Sequence, residues 1–124
     1  MNAPKHIVIK HAYDPPEASD GKRILVDRLW PRGLARAKAG IDLWLKDIAP
    51  STKLRKEFDH DPARWSAFVA AYSEELAANP DGFDQLLALC HTGPVTLLFA
   101  ARDTTHNNAV VLAELLSKQL HKMR

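Results

Sequence analysis

Three groups of residues in this chain carry side chains that could do chemistry. The first is Arg28-Leu29-Trp30-Pro31-Arg32-Gly33. An arginine presents a planar fork suited to phosphate or carboxylate, and its guanidinium stacks on aromatic faces. Arg28 and Arg32 are therefore candidate anion ligands, with Trp30 beside them. Gly33 permits a positive φ or a close backbone approach. Pro31 stiffens the loop and lowers the ordering cost of binding. A charged hydrogen bond contributes about 1.5–3 kcal/mol, whereas micromolar binding needs about 8 kcal/mol. One arginine is too few, but two arginines and a helix N-terminus approach that figure. In the competing structural reading Trp30 anchors the core and the arginines pair with Asp27 or Asp42.

The second group runs from Ser51 to Arg55. Ser51 is placed to cap a helix whose free N–H groups would form an anion site, and Arg55 is its strongest ligand candidate. Plain capping with exposed basic residues is the competing reading. The third group is Asp103, His106 and Asn107. Asp103 is a candidate base and His106 a candidate proton carrier, because imidazole titrates near neutrality. Asn107 is a candidate hydrogen-bonding ligand. Against this, Asp103 could serve purely as an N-cap.

Other combinations carry less. Asp59, His60 and Asp61 resemble metal ligands by type, but adjacent residues rarely converge on one ion, and no zinc-type Cys/His spacing occurs. We expect no metal and no cofactor. Cys90, the single cysteine, reads as buried and inert. Glu74 and Glu75 read as a solvated pair rather than a catalytic dyad.

These groups must be positioned by a small fold. The 124 residues suit one domain, 1–124, with one real core. A hydrophobic share of 46% against 26% charged excludes disorder and coiled coil. The net charge of +2 excludes a polycation. Between Gly21 and Gly40, however, six basic residues face one acidic residue, so one patch of surface should attract anions. A lone cysteine, the lack of a membrane-length apolar run and the lack of a signal peptide make a cytoplasmic protein the expectation.

Apolar, β-branched runs predict strands at His6–Lys10, Ile24–Val26 and Val95–Ala101, the last long enough to be central and covered on both faces. Leu43–Ala49 reads as a further strand, with a helical turn as its competitor. Asp61-Pro62 starts a helix, since Asp is a favoured N-cap and Pro suits the first helical position. Trp65, Phe68, Val69, Tyr72 and Leu76 then form its apolar stripe. Helices follow at Phe83–His91 and from about Thr105 to Lys122. Strands alternating with helices give a single three-layer α/β domain, a mostly parallel sheet with helices on its faces. Ligands in such folds bind beyond the carboxyl ends of the strands, which is where Asp27–Gly33 and Arg102–Asn107 fall.

The stretches Arg23–Gly33 (RILVDRLWPRG), Trp44–Phe58 (WLKDIAPSTKLRKEF), His60–Trp65 (HDPARW), Tyr72–Leu76 (YSEEL) and Val95–Leu112 (VTLLFAARDTTHNNAVVL) resemble the YeaO-like family of bacterial proteins, DUF 488, a family of unknown function. The resemblance covers most of the chain. Some relatives carry names such as transcriptional regulator or porphyrin methyltransferase. Neither suits this chain, which has no glycine-rich loop after its first strand to cradle an adenosyl cofactor and no winged-helix pattern. The family motif continues after Asn107 with His, where this chain has Asn108, which puts a proton-transfer role there in doubt. The expected activity is recognition of an anionic, phosphorylated or nucleotide-type small molecule. A non-enzymatic module for nucleic acid or protein, or a regulatory protein with structural ion pairs alone, is the alternative.

Overall fold

A computed structural model describes residues 7–122. Four parallel strands form one sheet: β1 (Ile7–His11), β2 (Lys22–Leu25), β3 (Leu43–Trp44) and β4 (Val95–Phe99), in the order β1-β4-β2-β3. β4 is central, and every residue in it is buried. That is what its uninterrupted apolar run requires.

Alternation along the strands divides the sheet into two faces. Ile24 and Val26, with Val95, Leu97 and Phe99, pack into the main core. That side is covered by α3 (Trp65–Ala78), α4 (Asp81–Cys90) and α5 (Asn108–Lys122). In α3 the stripe buries Phe68, Tyr72 and Leu76, with Trp65 and Val69 packed at its margin. In α5 it buries Ala109, Leu112, Leu116 and Leu120. On the opposite face Leu25, Leu98 and Ala12 are covered by Trp30, Leu34, Ile41 and Trp44. The layer there is mostly irregular chain and includes the one-turn α1 (Arg36–Ala39).

That second face also holds a buried ion network. Arg23 and Asp20 are each 3% exposed. Arg23 Nη1 donates to Asp20 Oδ2 at 2.6 Å, and Lys10 Nζ donates to Asp20 Oδ1 at 2.5 Å. The remaining Arg23 donors reach the carbonyls of Gly40, Asp14 and Ala39. Thr96 Oγ1 donates to the Asp20 carbonyl at 2.8 Å. Arg23 is thus a structural residue and leaves the basic patch expected from the sequence.

Leu43–Ala49 is strand only at Leu43–Trp44. The chain then tightens into a 3₁₀ turn at Lys46–Ile48 that buries Ile48. The Ile48 carbonyl accepts a 2.6 Å hydrogen bond from the buried Tyr72 hydroxyl. A longer strand would forfeit both. The last helix begins at Asn108 rather than Thr105. The residues before it fold around Asp103, whose Oδ1 accepts the Thr105 and His106 amides. Among the described residues no helix is long and apolar enough to cross a membrane.

Gly21 shows how tightly the second face is built. Its φ is +64°, and an added Cβ would lie 2.2 Å from the Pro94 carbonyl oxygen. Backbone cannot rotate out of the way as a side chain can. Gly21→Ala is expected to cost about 1–3 kcal/mol, measured by thermal unfolding. Gly33, at φ +77° with open space around it, should cost about 1 kcal/mol as alanine, from backbone strain alone.

Candidate functional site

β2 and β4 are neighbours, yet the chain leaves them toward opposite faces. After β2 it crosses to the irregular layer, and after β4 it enters α5 on the helical side. A crevice opens where such connections diverge. A cavity of about 800 Å³ lies there. Asp27–Arg32 from the β2 end and Ala100, Ala101 and His106–Asn108 from the β4 end line two sides. α2 (Thr52–Phe58) contributes Arg55, Lys56 and Phe58.

The β2 loop is held at several points. The Asp27 carbonyl accepts from Trp44 Nε1 at 2.8 Å. Trp30 Nε1 donates to the Leu34 carbonyl at 2.7 Å, and Tyr13 donates its hydroxyl to the Arg32 carbonyl at 2.7 Å. Trp30 packs edge-on to Trp44 (5.5 Å between centroids) and carries the Arg36 guanidinium 4.3 Å above its ring. Its indole is therefore a structural anchor whose border reaches the cavity. Arg28 and Arg32 line the cavity with backbone positions fixed by these contacts. Among the described residues, Arg28, Arg32, Arg55 and Lys56 form none of the ion pairs found within 4.0 Å. Four cations thus edge one cleft outside any such ion pair, with the carboxylates of Asp27 and Asp59 in the same lining.

Asp103 and His106 form a bonded pair. His106 Nδ1 lies 2.9 Å from Asp103 Oδ2 and 3.0 Å from Thr105 Oγ1. The ring packs edge-on against Trp65 at 5.1 Å. His106 lines the cavity and Asp103 does not. Amide hydrogen bonds from Thr105 and the His106 bond hold the Asp103 carboxyl well below the usual range. An ionised carboxylate fixed on one ring nitrogen orients the imidazole and leaves the other nitrogen for a ligand.

Two expected ligands are otherwise engaged. Ser51 caps α2 as its residue type predicts, accepting the Leu54 amide at 3.1 Å. Its own hydroxyl and amide both donate to Glu75, at 2.6 and 2.9 Å. A carboxylate of the protein thus already faces this helix end, and Ser51 is not among the cavity residues. Asn107, 4% exposed, caps α5 through the Val110 amide and donates to the Asp103 carbonyl. It borders the cavity with its polar atoms occupied. Gly33 has the expected positive φ but stands outside the lining.

One important side chain opens the expected Asp27–Gly33 segment, but its own role was read from the sequence as that of an arginine partner. Asp27 Oδ2 accepts the Ala100 amide at 2.8 Å, tying the ends of β2 and β4 together. Burial pushes its carboxyl above the ordinary value, against the Ala100 amide, the Asn108 side chain and the charge of Arg55. Asn108 Nδ2 itself donates to the Val26 carbonyl at 2.8 Å. The available signal was position: an aspartate directly after the buried Ile24-Leu25-Val26.

Also lining the cleft, Asp59 (φ 49°) and His60 (φ 52°) occupy the left-handed region in succession. Asp59 ends α2, its amide donating to the Arg55 carbonyl at 3.0 Å. Left-handed non-glycine residues store strain and concentrate at binding sites. Among the described residues no cluster of three or more His, Cys, Asp or Glu could hold a metal ion. Cys90 is buried, and burial pushes its thiol up to about 11.

A family model described as "Inactive DUF488-N3 subclade" matches residues 6–124. The chain belongs to this DUF488 family. It is 45% identical over 111 residues to "Uncharacterized protein YeaO" of Escherichia coli (strain K12), covering 90% of this chain and 96% of that protein. It is 36% identical over 109 residues to "Uncharacterized protein Rv3073c" of Mycobacterium tuberculosis, covering 88% and 92%. No solved structure matches it. The resemblance carried by the sequence motifs therefore holds across nearly the whole domain.

Proposed function

We propose that this domain binds an anionic small molecule, phosphorylated or of nucleotide type, in the cleft beyond β2 and β4. The observation that carries this is the set of Arg28, Arg32, Arg55 and Lys56, drawn from two separate segments, lining one cleft outside any ion pair among the described residues. Arginine forks suit phosphate oxygens, and a ligand anion offsets the excess of four cations over the two carboxylates, Asp27 and Asp59, that line the cleft. The word "inactive" in the description of the matched subclade favours binding without turnover. Thermal unfolding across a series of phosphates, sugar phosphates and nucleotides tests this. Stabilisation that grows with ligand concentration, and is lost in Arg32→Ala, is expected. No shift with any anion, or equal shifts in both proteins, would sink the reading.

The Asp103–His106 pair favours a second reading, in which the bound molecule is also turned over. Asp103 would hold His106 as the acid or base at the cleft wall. Incubating each stabilising ligand with the protein and following it by phosphorus NMR separates the two. A ligand that returns unchanged supports binding alone. Conversion that His106→Ala abolishes supports catalysis.

A further inference from the structure

The turn that follows α2 carries a side chain its backbone does not favour. The Asp61 amide closes this turn on the Phe58 carbonyl at 3.0 Å, and both residues between them, Asp59 and His60, have positive φ. A turn of that kind favours Asn-Gly or Asp-Gly, because an L side chain in the left-handed region crowds the following carbonyl oxygen. Asp59 has a local reason to be there. It ends α2, and a left-handed residue is a common way for a helix to stop. His60 stands where glycine is preferred and has no such reason. The bonds that fix the turn come from the Asp59 and Asp61 amides, from the Asp61 carboxylate on the Ala63 amide and from the Arg64 guanidinium on the Glu57 carbonyl. None of them uses the imidazole. Glycine at position 60 would allow the same backbone without the steric cost.

The imidazole does have a place to act. His60 lines the cleft along with Arg55 and Lys56, which reach it from the same segment. The turn is pinned on both sides, and Phe58 just before it is buried and stacked on Phe68 at 4.6 Å between centroids. A side chain on so fixed a backbone meets a ligand at little ordering cost. Imidazole can donate a ring N–H to an anion oxygen. Asp59, in the same lining, opposes an anion.

Resting on the anion-binding reading above, we propose that His60 is a ligand-binding residue of the cleft, donating a ring N–H to the bound anion from the α2 side. The left-handed backbone at this position persists because glycine, the easier residue there, brings no donor. His106 gives the cleft a second imidazole from the β4 side, with one ring nitrogen engaged by Asp103. His60 is placed by its backbone instead.

Isothermal titration of wild type, His60→Gly and Asp59→Gly with inorganic phosphate, ribose 5-phosphate and adenosine 5′-monophosphate tests this, with thermal unfolding of each protein alongside. Both variants relax one left-handed residue, so both should melt higher, by about 2–5 °C. Their binding should diverge. His60→Gly is expected to bind whichever of these anions the wild type binds about tenfold more weakly, the contribution of one charged hydrogen bond. Asp59→Gly removes a carboxylate from the same lining and keeps the imidazole, so it should bind them more tightly. Unchanged affinity in His60→Gly overturns this proposal while leaving the anion reading intact. So does an equal loss in both variants, which would put the effect in a loosened turn. A His60→Gly protein that melts no higher than wild type overturns it as well, because the histidine would then cost the backbone nothing. Failure of all three anions to bind the wild type overturns both readings.

Discussion

Arg23→Ala is expected to destabilise the fold by about 3–5 kcal/mol, the usual cost of removing one partner from a buried ion pair. The variant strands the Asp20 carboxylate with Lys10 as its remaining cation, and it leaves the Gly40, Asp14 and Ala39 carbonyls without their guanidinium donors. Total stability for a domain of this size is about 5–15 kcal/mol, so urea unfolding will show the loss directly. The pH dependence identifies its origin. Burial pushes the Asp20 carboxyl up, but Lys10 and Arg23 outweigh burial and hold it at about 2, below its ordinary 3.8. A carboxyl that ionises more readily folded than unfolded stabilises the fold above the unfolded value. That contribution, about 2–3 kcal/mol, disappears as pH falls from about 4 to about 2. Asp103 acts in the same direction, whereas Asp27, pushed upward by burial, acts against it. In Arg23→Ala part of the Asp20 contribution is already gone. The gap between wild type and variant should therefore narrow as pH drops through that window. A gap independent of pH would place the cost in lost packing instead.

The contrast between Arg23 and Arg28 shows how far the sequence can be read. Both are arginines flanking one apolar run, Ile24-Leu25-Val26, and composition treats them alike. Their fates differ because strand alternation sends Arg23 to the second face, where Asp20 meets it, while Arg28 lies beyond the strand end. Features set by nearest neighbours were legible. The Val95–Phe99 run reads as a buried central strand, and Asp61-Pro62 reads as a helix start, with Asp61 accepting the Ala63 amide. Features set by distant pairing were not. The parallel register that places Leu25 beside Leu98 brings Asp27 to Ala100, and no spacing along the chain encodes that. The same limit hid Glu75 at the α2 N-terminus, where it meets Ser51 from 24 residues away. Leu43–Ala49 was misread for a related reason, because its strand ends where the core draws Ile48 inward. The YeaO-like resemblance ran through these gaps, since long motifs identify a family without revealing which of their residues touch.

Removing the two loop arginines should give the opposite phenotype to Arg23→Ala. Neither Arg28 nor Arg32 joins the ion pairs of the described residues, and the Arg32 backbone is held independently through Tyr13. The double variant Arg28→Ala/Arg32→Ala is therefore expected to keep its unfolding free energy within about 0.5 kcal/mol of wild type. Each fork would contribute about 1.5–3 kcal/mol to a phosphate. Neighbouring residues need not add, so the expected loss of affinity for a phosphorylated ligand is about a hundredfold or more. Calorimetric titration of the double variant, compared with both single variants, measures it. Arg36→Ala is the internal contrast. Its guanidinium lies over Trp30 and Trp44, so it should lose about 0.5–1 kcal/mol of stability and little affinity. Arg32→Lys then decides what the cleft recognises. Lysine keeps the charge and loses the planar fork. If most of the affinity disappears with Arg32→Lys, the cleft reads phosphate geometry. If most survives, it reads charge alone, and a diffuse basic surface would serve as well as a built site.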